Sequence, residues 1–183
     1  MFNFIKTIAE GRTPKELTQI ELDYSKSGLD PSLSKDAIDY HYGKLYKAYV
    51  DRFNSGEGDH NFNEAGAFLH SIYFAQFQNF KSNNTPNGAI LEFINQHFKN
   101  FDKFKEDFKK IAMKIQGSGW VYLDRSGKIK TIVNHEIKQD ILVLIDWWEH
   151  AWALDYQADK EKYLDNQWKI IDWERINIKM EAI

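Results

Sequence analysis

Apolar residues in the first half of the chain recur at helical spacing. After Pro31 and a candidate cap at Ser34, the residues Ile38, Tyr42, Leu45, Tyr49 and Phe53 fall close to the ~3.6-residue period of an α-helix. Gly56 and Gly58 end that run. A second helix is predicted from about Asn63, with Phe62, Phe68, Ile72, Phe74 and Phe77 as its apolar positions. Two helices joined by a short Gly-rich loop pack antiparallel, so residues 19–87 are expected to form a helical-hairpin domain. Ser82 to Gly88 (SNNTPNG) is the candidate linker. A third helix is predicted from Ala89 and a fourth from Asn100. The fourth carries Phe101, Phe104, Phe108, Ile111 and Ile115 along one face and lysines on a solvated one.

The period then changes. Gly119-Trp-Val-Tyr-Leu and Lys128-Ile-Lys-Thr-Ile-Val flank Asp124-Arg-Ser-Gly, the pattern of two strands and a hairpin loop. Ile141-Leu-Val-Leu-Ile is apolar throughout, as in a strand buried on both faces, and it ends at Asp146. A helical tail is predicted from Lys160 to Met180. The expected class is α+β: an N-terminal antiparallel helical hairpin, then a C-terminal lobe over 88–183 with a three-stranded antiparallel sheet and helices. All 13 Phe lie at or before Phe108 and all 6 Trp at or after Trp120, which also suggests two differently built lobes.

Composition removes several function classes. The chain has 183 residues, enough for one domain or two small lobes sharing a core. Net charge is −3, with Lys and Arg scattered among acids, so neither nucleic-acid binding nor a polybasic membrane contact is expected. No run approaches a membrane span. The stretch Met1-Phe-Asn-Phe-Ile-Lys-Thr-Ile is too short for a signal-peptide core. There is no cysteine, so thiolate sites, iron–sulfur clusters and disulfides are excluded and any metal takes nitrogen and oxygen ligands. A cytoplasmic location is the default expectation.

Six histidines are present. His60, in a polar loop, and His97, near a helix end, read as surface residues. His41 shares a helix face with Leu45 and Tyr49, while His70 sits among Phe68, Ile72, Tyr73 and Phe74. A hairpin could bring both imidazoles inside, where each buried nitrogen needs a partner. On the hairpin alone, two structural histidines explain the pattern better than a metal. The third cluster reverses that weighting. Asp146 ends a buried strand, His150 follows four residues later, and Trp147, Trp148 and Trp152 surround them. Unpaired, such a carboxylate carries a large desolvation penalty, which a cation offsets. Three imidazoles and one carboxylate suit iron, manganese or zinc, so zinc hydrolysis stays open at this point.

In order and at matching intervals, several segments resemble the iron/manganese superoxide dismutases. They are Asp39-Tyr-His-Tyr-Gly-Lys with Tyr49, Phe62-Asn with His70, Gly117-Ser-Gly-Trp, and Asp146-x-Trp-Glu-His. Phe101-Asp-Lys-Phe-Lys-Glu-Asp-Phe, Lys162-Tyr-Leu-Asp-Asn-Gln-Trp and Asp172-Trp-Glu are also similar to that family. The likeness runs from about Ile20 to about Ile178, leaving 1–18 as an extension with no assigned role. The resemblance implies one iron or manganese ion per chain, held by His41, His70, Asp146 and His150. It implies superoxide as substrate, converted to dioxygen and hydrogen peroxide as the ion cycles between trivalent and divalent states. Tyr49 matches the tyrosine of the substrate funnel, and Trp120 and Trp148 match tryptophans lining the site. Glu149 matches the acid that bonds the partner subunit's ligand histidine, here at the position of His150, so a homodimer is implied. Many members hydrogen-bond the metal-bound solvent with a glutamine. Gly66 occupies that helix position and has no side chain to offer, and Val133-Asn-His-Glu resembles the subgroup that assigns this role to a histidine, here His135.

The chain departs from the family pattern where a histidine and a tyrosine usually meet across the dimer, with Leu45 and Ala153 instead. Loss of both polar partners together is physically coherent, since losing one would strand the other. Leu69 also replaces the usual asparagine. These departures motivate two alternatives to the enzyme: a non-catalytic relative acting as a binding or assembly module, and a zinc hydrolase with His135 as its general base.

Overall fold

The computed structural model describes residues 16–182; the 1–18 extension lies largely outside them. The chain runs through α1 (Lys35–Tyr40), a π-helical turn (His41–Tyr46) and α2 (Lys47–Ser55) as one unbroken helical rod. Then come α3 (His60–Ala75), α4 (Gly88–Phe98), α5 (Phe101–Ala112), β1 (Gly119–Asp124), β2 (Ile129–Val133), β3 (Ile141–Asp146), α6 (Glu149–Tyr156), α7 (Lys160–Gln167) and α8 (Trp173–Glu181).

Local chemistry explains these boundaries. Ser34 caps α1, its Oγ accepting from the Ala37 N–H at 3.1 Å. Gly56, at φ 73°, ends α2 in the left-handed conformation that costs glycine least. Asp59 caps α3 through the Phe62 N–H, so that helix begins three residues before Asn63. The expected apolar face of the first helix is corrected by the π turn. With an extra residue in that turn, the buried positions are Ile38, His41, Tyr46, Val50 and Phe53, while Tyr42, Leu45 and Tyr49 are only half-buried. The predicted tail helix is likewise two helices. The chain turns over 168–172, and Asp172 caps α8 by accepting from Glu174 and Arg175.

The sheet is antiparallel in the order β2-β1-β3, with Trp120 opposite Asp146 and Val121 opposite Ile145. Strands β1 and β3 are buried along their whole length, which matches the unbroken apolar run of β3. The two lobes are sewn together, and the segment before the SNNTPNG turn is part of the seam. Phe77 bridges Ile171, the Gln78 N–H donates to Ile170 O at 2.8 Å, and Asn84 Nδ2 donates to the carbonyls of Trp168 and Ile171.

At the end of α3, Gln76 serves the open edge of β3 as a one-residue strand. Its Nε2 donates to Leu144 O, and its Oε1 accepts from the Leu144 N–H at 3.1 Å. Gln76→Ala strands a buried donor and acceptor, so it is expected to cost about 2 kcal/mol in urea unfolding; a loss under ~0.5 kcal/mol would show the edge to be satisfied otherwise.

Candidate metal centre

Four elements from both lobes converge on one point. The π turn opens with His41, α3 carries His70, β3 ends in Asp146, and the first turn of α6 holds His150. One potential ligand atom from each lies within 4.8 Å of every other. Asp146 Oδ2 stands at the hub, 3.2 Å from His41 Nε2, 3.2 Å from His150 Nε2 and 3.7 Å from His70 Nε2. The other carboxylate oxygen, Oδ1, accepts from the Trp148 N–H at 2.8 Å and so fixes the turn from strand into helix. The Asp146 carbonyl accepts from Tyr163 Oη at 2.9 Å.

The imidazoles are aimed as well as gathered. His70 Nδ1 lies 2.7 Å from the Gly66 carbonyl, one turn back on α3, and can only donate to it. The proton therefore sits on Nδ1, and Nε2 turns a lone pair to the centre. Both His70 Nε2 and His41 Nε2 are fully buried with no hydrogen-bond partner. Orphaned buried nitrogens facing a buried carboxylate are what a cation's coordination satisfies. Three imidazoles and one carboxylate are a donor set for iron or manganese, and the residues fit such an ion.

Electrostatics agrees. Burial disfavours the Asp146 carboxylate, yet the facing imidazoles of His150 and His41 outweigh it and hold the group well below the usual carboxylate range. Burial pushes His41 down to about 4 and holds His70 well below the ordinary histidine value. Burial thus favours the neutral form at His41 and His70, beside the Asp146 carboxylate.

A second layer surrounds this cluster. Asn134, at φ 53°, adopts the left-handed conformation that asparagine tolerates. It turns the chain after β2 so that His135 points inward. Trp120 Nε1 donates to His135 Nδ1 at 3.1 Å, which leaves the proton on Nε2, 2.9 Å from Tyr49 Oη. Trp148 stacks on the same ring at 4.6 Å and Phe62 packs against it at 4.7 Å. Burial lowers His135 to about 4 and is the first cause raising Tyr49 to about 12. Tyr49 lies over His70, ring centroids 5.2 Å apart.

Comparison with known proteins now decides the lineage. The alpha-hairpin domain model of the iron/manganese superoxide dismutases matches residues 16–61, and the C-terminal domain model matches 86–179. A "Superoxide dismutase [Mn/Fe]" of Porphyromonas gingivalis is 34% identical over 85% of this chain and 94% of its own length. A "Superoxide dismutase [Fe]" of Bacteroides fragilis is 32% identical over 87% of this chain and 97% of its own, and one of Pyrobaculum aerophilum 30% over 92% and 94%. The chain belongs to the iron/manganese superoxide dismutase family. Its activity is that of the family, an oxidoreductase acting with one iron or manganese ion.

Within this dismutase frame, the structure brings His41, His70, Asp146 and His150 together and surrounds them with Tyr49, Trp120, His135 and Trp148. Glu149 stands apart, exposed on α6. His60 and His97 stay outside the cluster, the first stacked on Phe53 and the second tilted against Phe93. Sequence reasoning missed Tyr163, whose contact crosses from α7 to the end of β3, and it undervalued Gly66. That glycine supplies the carbonyl that orients His70. It also makes room for Tyr49, since a Cβ there would lie 2.8 Å from the Tyr49 ring. Its place four residues before His70 was the available signal.

Two outcomes follow. Alanine is favoured over glycine inside a helix by about 1 kcal/mol, yet Gly66→Ala is expected to lower the melting temperature and displace Tyr49 from His135. A crystal structure of that variant retaining the 2.9 Å contact would contradict it. In the metal-free protein, the unfolded chain takes up a proton at His41 near pH 6.5 whereas the folded one resists until about 4. Stability is therefore present above pH 6.5 and lost as pH falls toward 4. The loss from this group is about 3 kcal/mol, measurable by urea titration at stepped pH. A flat profile would show His41 to be accessible to protons when folded.

Proposed function

We propose that His41, His70, Asp146 and His150 hold the iron or manganese ion with which this chain dismutes superoxide to dioxygen and hydrogen peroxide. The supporting observation is the convergence of three imidazole Nε2 atoms on one buried carboxylate, two of those nitrogens lacking any other partner. When bound, the ion supplies a one-electron couple that accepts an electron from one superoxide and returns it to a second. Two protons are consumed per peroxide formed.

The chain's own residues manage position and protons. Trp120 keeps the proton of His135 on Nε2, from which it is donated to Tyr49 Oη, leaving the Tyr49 O–H to donate toward the centre. Phe62, Trp120 and Trp148 wall the site and restrict water. Both His135 nitrogens are engaged by protein groups, so any influence of this ring on a group held at the ion would pass through Tyr49.

The working unit is read as a homodimer in which Glu149 of one copy bonds the ligand histidine of the other. Glu149 is exposed, and His150 uses its Nε2 toward Asp146, which leaves Nδ1 for an outside carboxylate. Leu45 and Ala153 remove a polar pair near the funnel, so turnover is expected to be slower than in relatives that keep it. Residues 19–87 and 88–183 are taken as the two domains. No helix among the described residues is long and apolar enough to cross a membrane; the cytoplasmic reading rests on the cysteine-free composition, and the expectation of no nucleic-acid partner on the scattered charge.

Metal analysis paired with a superoxide assay on iron- and manganese-loaded protein tests the reading. Purified chain is expected to bind one ion and to be active, and Asp146→Ala or His70→Ala to lose the ion and all activity. Metal-free protein that cannot be loaded would favour an assembly module, and zinc without dismutation a hydrolase. Glu149→Ala is expected to raise the monomer fraction in sedimentation; an unchanged distribution would remove Glu149 from the interface.

A further inference from the structure

The four clustered side chains are divided between the lobes. His41 and His70 come from the hairpin, Asp146 and His150 from the end of β3 and the start of α6. Presetting the separation of such halves raises affinity, because less ordering is left to the binding step. Two buried phenols are placed to do this. Tyr73 lies on α3 three residues after His70, and its ring packs on that of His41 with centroids 5.4 Å apart. Tyr163 lies on α7, and its Oη donates to the backbone carbonyl of Asp146 at 2.9 Å. The two hydroxyls meet at 3.0 Å, although they are 90 residues apart in the chain. Tyr73, Tyr163 and Asp146 are all fully buried.

Counting protons gives these bonds a direction. Tyr163 has a single O–H, and the Asp146 carbonyl can only accept, so that proton goes to the carbonyl. Tyr163 Oη then accepts from Tyr73. The bonds run one way, from the helix that carries His70 to the strand end that carries Asp146. Gln167, one turn after Tyr163 on α7, brings its Oε1 within 3.2 Å of Tyr73 Oη and competes for the same proton. Its Nε2 is buried with no hydrogen-bond partner. Gln167 therefore shares this patch of core without standing in the line to Asp146.

We propose that Tyr73 and Tyr163 are positioning residues for the metal centre, a hydroxyl pair that presets His70 against Asp146 across the lobes. The proposal rests on the dismutase reading above. Neither phenol touches substrate, and both act through the residues that would hold the ion. The alternative is plain core filling, which phenylalanine would do almost as well. Losing a buried hydrogen bond lowers stability on either view, so stability alone does not separate them. The grip on a bound ion, and the geometry reported by its spectrum, do.

The test compares wild type with Tyr163→Phe, Tyr73→Phe and Gln167→Leu, each loaded with iron or manganese. It reads the rate of metal loss to excess EDTA and the EPR signal of the bound ion, with urea unfolding measured separately. Removing an outer hydrogen bond costs a metal site about tenfold or more in affinity. Tyr163→Phe is therefore expected to release the ion about tenfold faster and to show an altered signal. Tyr73→Phe shifts both in the same direction but less, and it serves as the test where Tyr163→Phe does not fold. Gln167→Leu keeps the wild-type release rate and signal, whatever its stability. Wild-type release and signal in the phenylalanine variants would overturn the proposal, as would release that simply follows urea stability across all three. Wild-type protein that takes up neither metal would instead overturn the dismutase reading itself.

Discussion

One carboxylate governs this molecule. Asp146 is fully buried, and a charge taken from water into a protein interior costs several kcal/mol unless the surroundings repay it. Its backbone carbonyl and Oδ1 are satisfied locally by Tyr163 and the Trp148 N–H, but Oδ2 faces three imidazoles, two of which, His41 and His70, are held by burial below the ordinary histidine value. A cation at the meeting point of these groups would offset the buried charge and engage the two unpartnered imidazole nitrogens, and metal loading and folding stability would then be coupled.

That requirement explains where the lobes meet. A β-strand delivers Asp146 to the interior at its C-terminal end, one turn of helix returns His150 to the same point, and neither element reaches the far side of the cluster. The hairpin does so, and it needs two backbone adjustments. The π turn starting at His41 shifts the rod's apolar face by one position, so that Tyr46 stacks on His70 at 5.7 Å. Gly66 lets the Tyr49 ring approach α3 closely. The seam through Phe77, Gln78 and Asn84 holds hairpin and sheet in register, so the ligand sets stay matched.

The sequence made the hairpin, the three strands and the four side chains that gather at Asp146 legible because each rests on a local signal: a cap at Ser34, a glycine at Gly56, an apolar run closed by Asp146. What it concealed depends on contacts between elements or on backbone geometry without a residue signature. Nothing in His41-Tyr-Gly-Lys-Leu-Tyr announces a π turn, so Leu45 and Tyr49 looked like the buried face that Tyr46 and Val50 occupy. Tyr163 lies on a helix whose register reveals nothing of Asp146. The break between α7 and α8 was visible in hindsight at Asp172, a good cap inside a stretch that otherwise reads as continuous helix.

The outer layer shows how substitutions at separate positions constrain one another. With glycine at 66, that position of α3 offers the Tyr49 hydroxyl no side chain, and the space is taken by the Tyr49 ring itself. The proton partner must then come from elsewhere, and the turn at Asn134 brings His135 in from the sheet. Because Trp120 already donates to Nδ1, the ring has one tautomer available, and its Nε2 proton is directed at Tyr49. Replacing His135 by a residue without a donor would leave the Trp120 N–H and the Tyr49 hydroxyl unpaired together. The glycine, the left-handed asparagine and the histidine are therefore one device, and a change at any of them is answered at Tyr49, the ring that lies over His70 and bonds His135.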